Sequence, residues 1–277
     1  MKKILKRLTG LTTAAAVFVY MPVAAFARPY DITHGDVNVV AEVNANGKTI
    51  YTVNGQLDET QIVIGGDSGV LYATGYHVYI ESRDRANALI VFNNLAISNS
   101  TYAVKTAGDG NVTIELNGDN MLQSGGRNAG IQKENTGTLT IKDDDKNGRL
   151  EVLGGSNGAG IGGGDRMNGT DIIIEGGTIE ATGGYDGAGI GGGFAGKGDT
   201  ITIKGGTVTA KGGDYAAGIG GGYYNYSTAE DAGKGMNITI EGGTVTAEGG
   251  FYAAGIGGGS GRNGENIVIG GGTVTAE

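Results

Sequence analysis

The sequence predicts an all-β chain wound as a solenoid, a parallel β-helix with about 29 residues per coil in its C-terminal half. Three observations predict it. Four glycine cassettes recur, GAGIGGG at 158–164 and 187–193 and AAGIGGG at 216–222 and 253–259. Between cassettes run two short segments that alternate apolar and polar residues, the mark of half-buried strands. Two-residue links such as Gly205-Gly206 join those segments and are too short to hold a helix.

The first element is a leader. Lys2, Lys3, Lys6 and Arg7 precede an apolar stretch over 11–25 that ends in Ala25-Phe26-Ala27, which reads as an export signal cleaved after Ala27. Its removal leaves 250 residues with 16 basic and 29 acidic side chains, a net charge of −13. Such a polyanion repels nucleic acid and anionic membrane surfaces. No later run of 18 apolar residues predicts a membrane-spanning helix. The expected location is therefore secreted or at the cell surface.

Residues 28–61 read as an N-terminal cap, with Asn44-Ala45-Asn46-Gly47 turning between strands at 39–43 and 49–53. Residues 62–127 read as irregular coils. There the pairs Ile62 and Ile64, Val78 and Ile80, Leu89 and Val91, Leu95 and Ile97, and Val112 and Ile114 carry a period of two without the cassette. Residues 128–277 read as regular coils that end in mid-repeat. The cassette isoleucines Ile161, Ile190, Ile219 and Ile256 are spaced 29, 29 and 37, the last being 29 plus an eight-residue insertion. A degenerate copy, NAGI at 128–131, lies 30 residues upstream of the first cassette. The alternating segments (TITI then GTVTA over 200–210, for example) predict that Ile201, Ile203, Val208 and Ala210 point inward. One coil cannot bury that face alone, but stacked coils can.

Composition excludes other classes. Glycine supplies 58 of 277 residues with only 2 prolines and no every-third-residue period, so a collagen helix is ruled out. The chain has no cysteine, hence no disulfide or thiol chemistry, and its two histidines, His34 and His77, form no zinc motif. The GxGxxG match at 158–163 recurs with the coil and opens no helix, and the GxxxxGK match at 191–197 has Gly198 where a P-loop needs Ser or Thr. The GGxGxD nonapeptide is absent. At 143–148, Asp143, Asp145 and Asn147 reproduce the first half of a calcium loop, although Gly154 stands where the bidentate glutamate belongs. Ca²⁺ at this corner is the metal expectation, with a solvated turn as the alternative.

The succession GNVTIELNGDNML over 110–122, then NAGI, GTLTI, GRLEVLGG and GAGIGGG with ITIKGGTVTA, resembles a family of exported bacterial carbohydrate-binding-domain proteins. Their fold is a right-handed parallel β-helix like that of pectate lyases. The resemblance covers most of the mature chain. It implies non-catalytic binding of plant cell-wall polysaccharide, with calcium as a structural ion.

The residues themselves offer a site. The turn before each cassette reads Ser156-Asn157, Tyr185-Asp186, Asp214-Tyr215 and Phe251-Tyr252, and the insertion adds Tyr223, Tyr224 and Tyr226. Pyranose C–H faces pack on aromatic planes, and Asp186 and Asp214 can accept hydroxyl hydrogens. An aromatic array on a regular rise suits a repeating polymer. The same tyrosines could instead only cover turns, as in a structural surface protein or adhesin. Outward threonines at Thr207, Thr209, Thr244, Thr246, Thr273 and Thr275 raise ice binding, although Glu180 breaks the ladder and β-propensity explains exposed threonine. A polysaccharide lyase or hydrolase needs a base beside metal-binding carboxylates, or a carboxylate pair. Neither is recognisable. Glu175, Lys204 and Glu241 share a column where alternating charge supports the stack, and Arg83, Asp84 and Arg85 read as a loop.

Overall fold

The computed structural model describes residues 30–58, 62–66, 71–224 and 230–277. The leader expected at 1–27 lies outside them. Three sheets run the length of the molecule. The first contains Val37–Val43, Val78–Ser82, Val104–Gly108, Ile131–Lys133 and the four cassette strands Ile161–Gly162, Ile190–Gly191, Ile219–Gly220 and Ile256–Gly257. The second runs from Ile62–Gly65 through Asn87–Asn93 and Asn111–Asn117 to Gly264–Ile269. The third runs from Leu71–Thr74 to Thr273–Ala276. Within each, a strand pairs in parallel with its counterpart one coil on, as in Ile172↔Ile201↔Ile238↔Ile267. Parallel neighbours normally need a helical crossover. Here the other two strands of the coil are the crossover, and such connections are right-handed almost without exception. The chain is a right-handed parallel β-helix.

The alternating pattern sets the core. Ile201, Ile203, Val208 and Ala210 are buried to within 1%. Each stacks on its equivalent above and below, so isoleucine columns fill the bore: Ile131, Ile161, Ile190 and Ile219 are all fully buried. The register steps by 29 residues at Ile174↔Ile203 and by 37 at Ile203↔Ile240. The strands on either side of the eight-residue insertion thus keep the same register as their neighbours.

Glycine is required at two kinds of position. The second residue of each Gly-Gly link, Gly206 for one, has φ of +89°, in the left-handed region that lets the chain turn a corner in two residues. In the cassette, a Cβ on Gly191 would lie 2.0 Å from the Gly220 carbonyl oxygen. Within the last four second-sheet strands, Asp171, Thr200, Asn237 and Asn266 repeat a left-handed residue with φ of 50–55°.

Two features upstream differ from the sequence reading. In Asn87–Asn93 the residues in the core are Ala88, Ile90 and Phe92, matched to Val112, Ile114 and Leu116, so Leu89 and Val91 lie on the opposite face, where Leu89 is half-buried and Val91 fully buried. That strand is apolar at every position from 88 to 92, and only the register with Asn111–Asn117 selects its phase. The expected turn at 44–47 forms: Asn44 Oδ1 accepts from Asn46 N and Lys48 N at 3.0 Å each, and Val37–Val43 pairs antiparallel with Thr49–Val53. A third strand, Gln56–Asp58, extends this edge of the first sheet. The Arg83-Asp84-Arg85 segment is a turn, with Arg83 bridging Glu42 and Glu81 at 2.9 and 2.8 Å. Lys204 reaches Glu175 one coil back at 3.0 Å, as the alternating column implied.

Candidate functional site

The tyrosine-bearing edge is built where two turns of the coil interlock. One leads from the third sheet into the cassette, and the other leaves the cassette for the second sheet. Backbone bonds tie the second turn to the first turn of the preceding coil: Phe194 N donates to Asn157 O, Tyr223 N to Asp186 O, and Ser260 N to Tyr215 O, at 2.8–2.9 Å. Asn157, Asp186 and Tyr215 therefore form one column, and Asp165, Phe194 and Tyr223 a second beside it.

Tyr215 is the hub of the rings. Its centroid lies 4.9 Å from Tyr223, 6.1 Å from Tyr185 and 6.5 Å from Phe251. Phe194 extends the cluster, 6.3 Å from Tyr223 and 6.4 Å from Tyr224 in edge-to-face arrangements. The Arg262 guanidinium caps Tyr224 at 4.8 Å from the ring centroid. The outer rings remain open to solvent: Tyr185 is 55% exposed, Phe251 69% and Tyr252 89%. Tyr252 shares the column of Tyr215 but has φ of +60°, and the ring that lies against Tyr215 from that coil is Phe251. The contacts thus run diagonally across columns, from Tyr185 to Tyr215 to Phe251, rather than up one column. Tyr226 lies outside the described residues.

Carboxylates accompany the rings. Asp214 is exposed, and Asp186 is half-buried with Oδ1 shut off from solvent and accepting no hydrogen bond. Burial holds the Asp186 carboxyl above its ordinary range, and the charges of Asp165 and Asp214 add to this. Asp165 accepts from Asn157 Nδ2 at 3.0 Å and pairs with Arg127 at 3.3 Å. The neighbouring Tyr215 raises the Tyr185 hydroxyl first, followed by burial, so it stays a donor at neutral pH. The surface can offer aromatic faces, hydroxyl donors and carboxylate acceptors on successive coils.

The sequence reading missed Phe194, Asp165 and Arg262. The first two were findable, because they follow the GGG of a cassette at the position Tyr223 also fills. Arg262 was not, since its contact joins the turn after the last cassette to Tyr224 in the insertion.

The expected calcium corner is a closed turn. Asp143 Oδ1 accepts from Asn147 N at 3.2 Å and Oδ2 from Gly148 N at 3.0 Å, while Asp144 is bonded to Lys142. Among the described residues no group of three or more His, Cys, Asp or Glu side chains is arranged to hold a metal ion. The Asp143 carboxylate thus orders its own loop through two backbone N–H groups. The corner borders a groove of about 290 Å³ lined by Asp143, Lys146, Glu175, Thr178 and Thr207, away from the rings.

Three stretches, 172–194, 201–223 and 238–260, match a family model described as Beta helix repeat. Each match starts at the inward isoleucine of a second-sheet strand and ends in the turn after the next cassette, so it spans the same unit that the sheets define. Fold and repeats together define the class: this is a parallel β-helix protein. No curated protein and no solved structure matches the chain. Among the described residues no helix is long and apolar enough to cross a membrane.

Proposed function

We propose that this is an exported, non-catalytic polysaccharide-binding protein whose contact surface is the aromatic edge around Tyr215. The observation that carries this reading is the continuous ring cluster from Tyr185 through Tyr215 to Phe251, with its outer members more than half exposed. A monomer gains nothing from holding large apolar rings in water on three consecutive coils, and such patches mark binding surfaces. Sugars fit this one because their C–H faces pack on rings while Asp186, Asp214 and the tyrosine hydroxyls bond the ring hydroxyls. Export rests on the leader at 1–27, and a plant cell-wall glycan is the substrate class that the motif resemblance suggests.

The test is affinity electrophoresis of the mature protein in gels containing xylan, a cellulose derivative or polygalacturonate, with reducing ends and unsaturated products assayed alongside. Retardation without product supports binding. Tyr215→Ala removes the hub and is expected to weaken retention about tenfold, roughly 1.4 kcal/mol. Product formation would replace this reading with a lyase or hydrolase, and absence of both would leave a structural adhesin.

A further inference from the structure

The charges around the rings are not evenly distributed. Asp165, Asp186 and Asp214 follow one another along the rim on three consecutive coils, because Asp186 sits one coil after Asn157, Asp214 directly precedes Tyr215 in the next turn, and Asp165 occupies the column of Phe194 and Tyr223. Among the described residues only Asp165 of the three pairs with a basic side chain, and Arg127, which supplies it, is 76% exposed at its side chain. Exposed pairs of this kind cancel little charge. Asp186 receives the charges of both neighbours and has one oxygen enclosed without a hydrogen bond.

Lysines on the same coils are engaged elsewhere, whereas Arg166, exposed and next to Asp165, has its backbone N bonded to Phe194 O at 2.7 Å and sets one positive charge at the Asp165 end of the rim. Lys197 pairs with Asp199 at 2.9 Å, Lys211 with Glu248 at 3.2 Å, and Lys234 with both Asp231 and Glu265 at 3.0 Å. Arg262 touches the ring cluster over the face of Tyr224, 4.8 Å from its centroid. The chain as a whole carries a net charge of −9.

We infer that this edge selects by charge and takes a neutral polysaccharide, one of hexose or pentose units without carboxyl groups, in preference to a polyuronate. The inference rests on the glycan-binding reading above and adds the substrate class. A polyuronate brings a carboxylate with every sugar, so a strand laid along the rings sets a row of negative charges beside Asp165, Asp186 and Asp214. A neutral glycan brings only hydroxyl donors to the same oxygens and C–H faces to the rings. Charges near the surface interact within a Debye length of about 10 Å at moderate salt, so the discrimination is strongest at low ionic strength.

The experiment compares retention of the mature protein on xylan, hydroxyethylcellulose and galactan with retention on polygalacturonate, each at low and at physiological ionic strength. The expected result is at least tenfold tighter retention on one or more neutral glycans, with the gap narrowing as salt rises. Equal or tighter retention on polygalacturonate that Tyr215→Ala abolishes would overturn the inference while leaving the glycan-binding edge intact. A preference for neutral glycan that salt does not change would also overturn it, since shape rather than charge would then decide. No retention on any glycan would remove the binding reading and the inference with it.

Discussion

Lys133 points into the bore of the solenoid. It pairs in register with Thr106, which in turn pairs with Ile80, so an ammonium occupies a column that is apolar two coils earlier. The residue is 5% exposed, and its Nζ donates to Asn135 O at 2.7 Å. Burial depresses its pKa from 10.5 to about 8, with the charge of Asp171 opposing the shift. At 1.36 kcal/mol per pKa unit that displacement corresponds to about 3 kcal/mol of penalty against the folded state when Lys133 is charged. The sign follows from proton counting. The folded pKa lies below the unfolded one, so between about pH 8 and 10.5 the unfolded chain binds more protons, and stability rises with pH. Below pH 8 the full penalty applies.

Lys133→Met removes the penalty and also the hydrogen bond to Asn135, which is worth about 1 kcal/mol. At pH 7 the variant should therefore be more stable by about 2 kcal/mol, and by pH 10.5 it should have lost that advantage. Urea melts of both proteins across this range, compared at equal slope, give the difference directly. The Tyr30 hydroxyl, raised to about 12, and the raised Tyr51 hydroxyl also titrate at alkaline pH, but both proteins share them and they cancel. A stability difference that stays constant from pH 7 to 10.5, or a variant less stable at pH 7, would refute the reasoning.

Thr200 holds a φ of +55° that a β-branched residue adopts only under strain, while its ladder equivalents Asn237 and Asn266 tolerate it. Thr200→Asn should stabilise by about 1 kcal/mol, measurable in the same melts. Gly191→Ala should cost roughly 2–6 kcal/mol, since the new Cβ meets fixed backbone and the backbone angle is strained as well; an unchanged melting midpoint would contradict the stacked-cassette geometry. With Ca²⁺ at the Asp143 corner, chelator should lower the melting temperature, and an unmoved midpoint would count against the metal site.

The 29-residue period, the strand pairs and the inward isoleucines were all legible in the chain itself. Stacking copies in register turns a one-dimensional repeat into a three-dimensional column, and only one phase of TITI or GTVTA buries its apolar residues. Tertiary structure decided what that logic leaves open. Asn87–Asn93 is apolar on both faces, so pairing alone sent Leu89 to the opposite face and Ile90 inward. The candidate site was half legible. Tyr185, Tyr215 and Phe251 could be aligned as turn residues, but their contacts cross columns because each ring leans toward the neighbouring coil. Phe194 joins them only because the turn leaving the cassette is hydrogen-bonded to the turn entering it one coil back. Periodicity determines which residues stack, whereas the meeting of two different turns at one edge depends on how the coil closes on itself in space.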